Sequence, residues 1–301
     1  TKVAQNGFIF LVMNHMFCLA SLKEIKRKIK SVKNTQKTTK AMKLVSTAKL
    51  NRAKEAASRA KFFAQKVVEV LSEISLNINT ITPDDKRFVL FTQRKEPKVI
   101  DIIFITADKG LCGGFNNKTI KTTMDMIKHY KESGMQVRLR AVGKTGIEFM
   151  RFQGIEPHKC YLGLSSSPDY EKACGVIQEA VDDFLAGATD KVFVVHNGYK
   201  NMISQELRVD NLIPIEPLRV QDLSKQSKSA IEFEPQSDEL MNELIKTYFE
   251  YSMYFALIDS LAAEHSARMQ AMDSATNNAK EMVRKLSLSY NKARQESITT
   301  E

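Results

Sequence analysis

Three absences narrow the classes of protein to which this sequence can belong. It has no Trp. Its four cysteines are Cys18, Cys112, Cys160 and Cys174, of which no two form a CxxC motif, and no pair of histidines has the spacing of a zinc-binding motif. A zinc site or disulfide framework is therefore not predicted, and a reducing compartment fits the cysteine content. No run reaches the ~20 consecutive apolar residues of a transmembrane helix, and the nearest approach, at residues 8–13, is far too short.

Glycine and proline are almost missing from the two ends of the chain. All seven prolines and eleven of the twelve glycines lie between Pro83 and Pro235. Both residues end or weaken helices when they stand in their interior. Their distribution therefore predicts two long terminal helices that flank an inserted α/β domain.

The C-terminal segment, residues 236–301, has a heptad pattern that only His265 and Thr276 interrupt. Its seam positions alternate in spacing between four and three: Leu244, Tyr248, Tyr251, Phe255, Ile258, Ala262, His265, Met269, Met272, Thr276, Ala279, Val283, Leu286, Tyr290 and Ala293. Such a repeat over about seven heptads predicts a long helix that supercoils against a partner helix. At ~1.5 Å per residue it would span ~90 Å, so we expect most of it to extend beyond any globular domain.

The N-terminal helix is predicted to start at a capping box, Ser21 with Glu24 three residues on. Its apolar positions have helical spacing early (Leu22, Ile25, Ile29, Val32) and late (Ala56, Ala60, Phe63, Val67, Val70, Ile74), and a narrow middle seam is predicted at Ala41, Val45 and Ala48. Since the two helices lie at opposite ends of the sequence, the simplest pairing is antiparallel.

Between the helices, strands alternate with helices. Strands are predicted at 99–106, 136–142, 191–196 and 202–209, with the last two joined by Asn197-Gly198 as in a hairpin, and helices at 116–132, 144–152 and 170–185. The predicted fold class is α/β plus long α, an antiparallel coiled coil with an inserted Rossmann-like domain of mostly parallel strands. The predicted divisions are an extension (1–19), the first helix (20–82), the α/β domain (83–217), a linker (218–236) and the last helix (237–301).

The net charge of +10 is concentrated in one segment. Residues 21–66 contain 15 Lys and Arg but only two acids, which gives +13 there and leaves −3 for the rest of the chain. Such a segment repels itself unless an acidic partner lies alongside. A basic helix that continues into heptads is also typical of bZIP proteins, so a nucleic-acid binder is an alternative. The apolar seam within the basic stretch argues against it, and no nucleic-acid partner is predicted.

The glycine-rich turn at 108–116 (DKGLCGGFN) follows a predicted strand and precedes a helix, which is where phosphate-binding loops lie. Its spacing does not match GxGxxG, and a P-loop ending at Gly143-Lys144-Thr145 would need glycine at Arg138. A tight structural turn is the favoured interpretation, with a nucleotide-binding enzyme as the alternative. GxSxG, HExxH and paired-carboxylate motifs are absent, so no catalytic, cofactor-binding or metal residue is predicted, and no cofactor.

Four stretches resemble the gamma subunit of the rotary F-type ATP synthase: 33–45 (KNTQKTTKAMKLV), 108–113 (DKGLCG), 264–273 (EHSARMQAMD) and 290–299 (YNKARQESIT). The resemblance runs from about Ala20 to the end. It implies an antiparallel coiled coil inside a ring of three alpha and three beta subunits, with the α/β domain as a foot on the membrane rotor ring. The implied function is that of a central rotor shaft without an active site of its own, which couples proton-driven rotation to conformational cycling of the beta subunits.

The same resemblance implies residues that contact partners. Those expected to contact beta subunits are Lys40, Met42, Lys43, Glu264, Arg268, Arg294, Gln295 and Thr299, and those expected to contact the membrane ring are Phe233 and Glu234. The implied partners are the alpha and beta subunits, the c-ring, and the delta and epsilon subunits of the central stalk, with membrane contact only through the c-ring. The start of the sequence suggests processing, so the expected location is the matrix face of the mitochondrial inner membrane, with the cytoplasmic face of a bacterial membrane as the alternative.

Overall fold

The computed structural model describes the backbone of residues 2–76, 88–92, 94, 96–215 and 238–299. It divides into two compact units, one of Thr1–Ser46 with Met269–Glu301 and one of Thr47–Arg268. Within the described residues, no helix combines the length and the apolar character that crossing a bilayer requires. The whole of the predicted linker, residues 218–236, which includes Phe233 and Glu234, lies outside the described residues.

The terminal helices, α1 (Lys2–Leu76) and α6 (Asp238–Thr299), pair in antiparallel fashion within the first unit. The Thr39 and Thr276 hydroxyl oxygens are 2.7 Å apart, and Lys43 Nζ donates to Asp273 Oδ1 at 2.7 Å. Residue numbers thus rise along α1 as they fall along α6, which is the antiparallel arrangement. The predicted seam on α6 is confirmed here, since Met272 and Ala279 are buried while the residues between heptad positions are mostly exposed.

The predicted middle seam of α1 is wrong. Ala41, Val45 and Ala48 are exposed, and the buried positions are Thr39 and Ser46 in the first unit, followed by Leu50, Ala53, Ala57 and Ala60 in the second. Thr39 and Ser46 are polar, so an apolar pattern passes over them. Thr39 can nevertheless be buried because its hydroxyl has a partner in Thr276.

The N-terminal boundary of α1 also differs from the prediction, because the helix begins at Lys2 rather than at Ser21. Residues 2–20 contain no proline and a single glycine, Gly7, whose cost in a helix interior is only about 1 kcal/mol. Ser21 and Glu24 are therefore interior residues of a helix, and residues 2–19 are part of α1 and not a separate segment.

The second unit contains a five-stranded sheet in the order β3-β2-β1-β4-β5. The strands are β1 (Val99–Ile105), β2 (Gln136–Val142), β3 (Lys159–Tyr161), β4 (Lys191–Tyr199) and β5 (Gln205–Ile213). The first four are parallel, and β5 is antiparallel to β4. The other helices are α2 (Phe88–Phe91), α3 (Phe115–Glu132), α4 (Lys144–Phe152) and α5 (Tyr170–Leu185). The mostly parallel α/β domain is confirmed, whereas α2 and β3 were not predicted.

The two faces of the sheet have separate cores. On one face, Ile100, Ile102 and Phe104 of β1 pack with α3 and α4. On the other face, Ile103 and Ile105 pack with α5 and with a stripe on α6 that comprises Ile245, Phe249, Met253, Ala256 and Leu257. Successive residues of β1 thus alternate between the two cores, as strand geometry requires. The N-terminal part of α6 consequently belongs to the core of the α/β domain.

The turn between β4 and β5 lies further along the chain than predicted. Asn197 and Gly198 are residues of β4, paired with Leu207 and Glu206, and the chain reverses at residues 200–204. The Asn-Gly pair is a common hairpin turn. Here Gly198 serves a different purpose, because a Cβ at this position would lie 2.4 Å from Asp259 Oδ2 of α6.

Candidate functional sites on the terminal helices and their junction with the α/β domain

Three of the predicted contact residues lie on α1 in the first unit. Lys40 is exposed, Met42 is half-buried at the edge of the helix seam, and Lys43 pairs with Asp273 of α6. Leu44 and Val45 are 63% and 57% exposed beside them, an unusual degree for adjacent apolar side chains. This face of α1 therefore presents lysines and apolar groups together to solvent.

Three more predicted contact residues lie near the end of α6. Arg294, Gln295 and Thr299 are exposed, and the Thr299 hydroxyl donates to the Gln295 carbonyl oxygen of its own helix at 2.8 Å. The side chains of Arg294 and Gln295 are thus exposed to solvent on a helix. The contacts assigned to them stay predictions.

The last two predicted residues, Glu264 and Arg268, are buried in the second unit, where they form an ion pair one helical turn apart. The Arg268 guanidinium also donates to the carbonyl oxygens of Lys109 and Gly110, at 3.0 and 3.2 Å. Arg268 thereby fastens the glycine-rich turn to α6. Burial raises the pKa of Glu264, and the neighbouring Arg268 opposes that rise.

His265 lies beside this pair and is held neutral. Burial, followed by the positive charges of Arg268 and Lys49, lowers its pKa from the ordinary 6.5 to about 4. Its Nδ1 is 3.4 Å from the Arg268 guanidinium, which can donate to the neutral ring. A charged imidazole here would lose that bond and face two cations.

We predict that folding stability falls when His265 must take up a proton. The unfolded chain binds this proton below pH ~6.5 and the folded chain only below pH ~4, so stability is complete above ~6.5 and is lost as the pH falls to ~4, by roughly 1–3 kcal/mol. Urea unfolding of the full chain at pH 7.5, 6 and 4.5 measures this. His265→Gln should flatten the profile across that window, and a profile identical to the wild type would contradict the assignment.

The glycine-rich turn begins with Asp108, whose carboxylate accepts four hydrogen bonds. The donors are the backbone amides of Lys144 at 3.0 Å, Gly163 at 3.3 Å and Ser166 at 3.2 Å, and the Ser165 hydroxyl at 2.9 Å. Burial raises the pKa of Asp108, but these bonds outweigh it, and the net pKa is lowered. The amide at the start of α4, a place suited to a bound phosphate, is thus occupied by a carboxylate of the chain itself.

The space beside this turn is also filled. Ala107, Cys112 and Phe115 pack against Ala263 and Ala267 of α6 in a small apolar cluster. In an open α/β sheet, this crevice at the carboxyl ends of β1 and β4 is where ligands bind. The geometry favours the structural turn over the nucleotide site, and the described residues contain no cluster of His, Cys, Asp or Glu that could hold a metal.

Sequence reasoning missed a buried acid of α6 that has several partners, Asp259. It is buried, and its carboxylate contacts both strands of the β4–β5 hairpin: Arg208 at 2.9 Å, the Tyr199 amide at 3.1 Å and His196 Nε2 at 3.4 Å. A signal was available, because Asp259 is the single acid in the apolar run 255–259 (FALID). A lone acid in such a run needs a buried partner.

Comparison with protein families finds a match over residues 21–301 to the family described as ATP synthase. Among curated proteins, an ATP synthase gamma chain of Campylobacter jejuni is 64% identical over 285 residues, covering 94% of this chain and 96% of the relative. The gamma chain of Campylobacter lari is 61% identical over 283 residues, with the same coverage.

Solved structures show the same fold. One is a chain from the central stalk and c-ring of the Tetrahymena thermophila mitochondrial ATP synthase, with a TM-score of 0.58 and 25% sequence identity. The match covers 79% of this chain and 99% of that one. A rotor chain of the Euglena gracilis mitochondrial ATP synthase has a TM-score of 0.62 at 16% identity, and covers 93% of this chain and 99% of its own length.

Proposed function

This chain belongs to the gamma-chain family of ATP synthases, and from that premise we propose that it is the central rotor shaft that couples proton-driven rotation to ATP synthesis. The observation that carries the proposal is the antiparallel pairing of its two ends, at Thr39 with Thr276 and Lys43 with Asp273, within a family match from residue 21 onward. A shaft alters its neighbours by making different contacts with different states of them, which needs no active site in the shaft itself.

The proposed partners are the alpha and beta subunits around the terminal helices, and the c-ring with the delta and epsilon subunits around the α/β domain. The exposed lysines of α1 support an acidic surface on the beta subunits, since the segment 21–66 carries +13. Lys40, Met42, Lys43, Arg294, Gln295 and Thr299 are the proposed contacts on this side. Glu264 and Arg268 are proposed to act there through the turn that Arg268 holds.

The proposed location is the cytoplasmic face of a bacterial membrane. The mitochondrial expectation is not supported, because the relatives at about 60% identity are proteins of Campylobacter species. Contact with the membrane would be made through the c-ring.

Two measurements test the function. The chain should co-purify with a six-membered alpha–beta ring, and the complex reconstituted in vesicles should make ATP from a proton gradient only when the chain is present. The nucleotide-binding alternative instead requires that the isolated chain bind ATP tightly in equilibrium dialysis. The nucleic-acid alternative requires a salt-dependent DNA shift.

We expect Met42→Lys to lower proton-driven ATP synthesis by roughly fivefold, since it adds a charge at a half-buried position among lysines. Met42→Leu conserves volume and should leave synthesis near the wild-type rate. Both variants are compared in the reconstituted complex at equal gradient. Unchanged synthesis by Met42→Lys would contradict this role for the residue.

A further inference from the structure

Helix α6 meets the β4–β5 hairpin through a buried polar group that we name the Asp259 cluster: Asp259, His196, Tyr199 and Arg208. One carboxylate oxygen, Oδ1, accepts from the Tyr199 amide, while Oδ2 contacts Arg208 and His196. His196 and Arg208 are paired directly across the two strands. A single side chain of the helix is therefore bonded to both strands at once.

Asp259 and His196 are shielded from water, Arg208 is 26% exposed, and the cluster is closely packed. The Asp259 side chain is 6% exposed and His196 is fully buried. Gly198 lies between the strand pair and the helix, where a Cβ would be 2.4 Å from Asp259 Oδ2 and 2.7 Å from Arg208 Nε. The contact can form only because position 198 has no side chain.

A second bond lies two turns further along the same face of α6. Ser266, seven residues after Asp259, is fully buried, and its hydroxyl donates to the Met202 carbonyl oxygen at 3.1 Å and accepts from the Gln205 side chain at 3.3 Å. Residues seven apart lie on one face of a helix. The hairpin is thus bonded to α6 at two heights.

These bonds supply what the apolar contacts of the domain do not. Hydrophobic burial is non-directional. The apolar stripe of α6 therefore resists separation of the helix from the sheet better than it resists rotation of the helix about its own axis. Hydrogen bonds and ion pairs weaken steeply when their geometry changes. Moreover, an ion pair that is largely shielded from water often adds little net stability compared with apolar packing, whereas its directional bonds restrict the angle between the helix and the strands.

We propose that Asp259 is a positioning residue that fixes the rotational setting of the α/β domain on α6, so that the two turn together under load. The inference rests on the proposed function, because load arises only if the chain is a rotor. Asp259 touches no substrate. Its role is to keep the domain from slipping around the helix, with Arg208 and His196 as its partners.

The test uses the complete synthase reconstituted in vesicles, with ATP hydrolysis and ATP-driven proton pumping measured on the same sample. Hydrolysis needs rotation of the helices within the ring, whereas pumping needs that rotation to reach the membrane. For Asp259→Ala we expect hydrolysis within about twofold of the wild type, and protons pumped per ATP to fall roughly threefold or more. The deficit should grow as the opposing gradient rises. Asp259→Asn, which can still accept from the Tyr199 amide, should be intermediate.

Two controls separate positioning from loss of stability. Met150→Ala removes a buried side chain from the opposite face of the sheet, away from α6, and should leave the ratio of protons to ATP unchanged. Arg208→Ala removes the most exposed partner and should reproduce the defect of Asp259→Ala, with the double variant no worse than either. Arg208→Ala decides the matter if Asp259→Ala does not assemble.

A wild-type ratio in Asp259→Ala or Arg208→Ala would overturn the inference, as would an equal loss in Met150→Ala. Failure of the proposed function would look different. Pumping and hydrolysis by the wild-type complex would then be independent of this chain, and that result would overturn both proposals.

Discussion

Replacing Arg140 by methionine is expected to lower the free energy of unfolding of the α/β domain by about 3–5 kcal/mol. Arg140 lies on β2 and is completely buried, as is Asp101 of β1, to which its Nε donates at 2.8 Å. Its other nitrogens reach Glu179 and Asp183 of α5, which are partly exposed. Without Arg140 those two can turn to water, but Asp101 cannot, and a buried charge is left without compensation.

The pH dependence of this variant gives a second signature. Burial already raises the pKa of Asp101, and Arg140 opposes that rise. Removing Arg140 therefore raises the pKa further, so the folded variant holds a proton that the unfolded chain releases above pH ~4. The destabilisation should be smallest near pH 4 and should grow as the pH rises through the folded pKa.

Amide hydrogen exchange of β1 and β2 in the full chain measures the change. Arg151→Met is the matched control, because Arg151 pairs with Glu156 at 3.0 Å on the surface, where solvent screens such a pair and its contribution to stability is small. Adding Asp101→Asn to Arg140→Met should recover roughly 1–3 kcal/mol. Equal effects of Arg140→Met and Arg151→Met would contradict the argument.

The elements of the α/β domain were largely readable from the sequence, because glycine marks their ends. The bounds of β2, α4 and α5 match the prediction to the residue. Glycines with positive φ precede and follow β2 and α4, at positions 134, 143 and 154, whereas α5 begins after its cap Asp169 and is followed by Gly187. The two elements that were missed, α2 and β3, are only four and three residues long, too short for any periodicity to be expressed.

The helices show why the rest could not be read. An apolar pattern along α1 does not include Thr39 and Ser46, which are buried. The hydroxyl of Thr39 contacts that of Thr276 on the partner helix, which the sequence of α1 alone does not show. Along α6 the sequence predicts the heptad seam but not a second buried stripe, which includes Phe249 and Met253. A one-dimensional pattern shows that a face is apolar, not how many partners a helix has.

The function of this chain follows from its resemblance to a family far more than from the chemistry of its individual residues. Composition and motifs favour a rod without an active site. They argue against several classes of enzyme but do not identify a family. Three polar residues join α6 to the domain: Asp259, Ser266 and Arg268. Their contacts come from segments about 60 to 160 residues away in the sequence. Their role follows only once both sides of the junction are known.

Gly143→Ala is expected to destabilise the α/β domain by roughly 3–5 kcal/mol, well beyond an ordinary glycine substitution. Gly143 has φ +95°, and a Cβ there would lie 2.0 Å from the Thr106 carbonyl oxygen and 2.7 Å from its carbon. Both groups are backbone, so neither can move aside as a flexible side chain would. Either the end of β2 or the end of β1 must shift.

The appropriate control is Gly154→Ala, since Gly154 also has a positive φ, +73°, but has open space where the Cβ would be. That variant bears only the conformational cost, about 1–2 kcal/mol.

The shift in Gly143→Ala should also reach the adjacent Lys144 amide, which donates to Asp108. Amide hydrogen exchange at Lys144, Gly163 and Ser166 should therefore accelerate together. If Gly143→Ala and Gly154→Ala unfold at the same urea concentration, the close approach of the two strand ends is not what requires glycine at position 143. If Gly143→Ala alone is destabilised and these three amides exchange faster, then the glycine holds in place the loops that Asp108 joins.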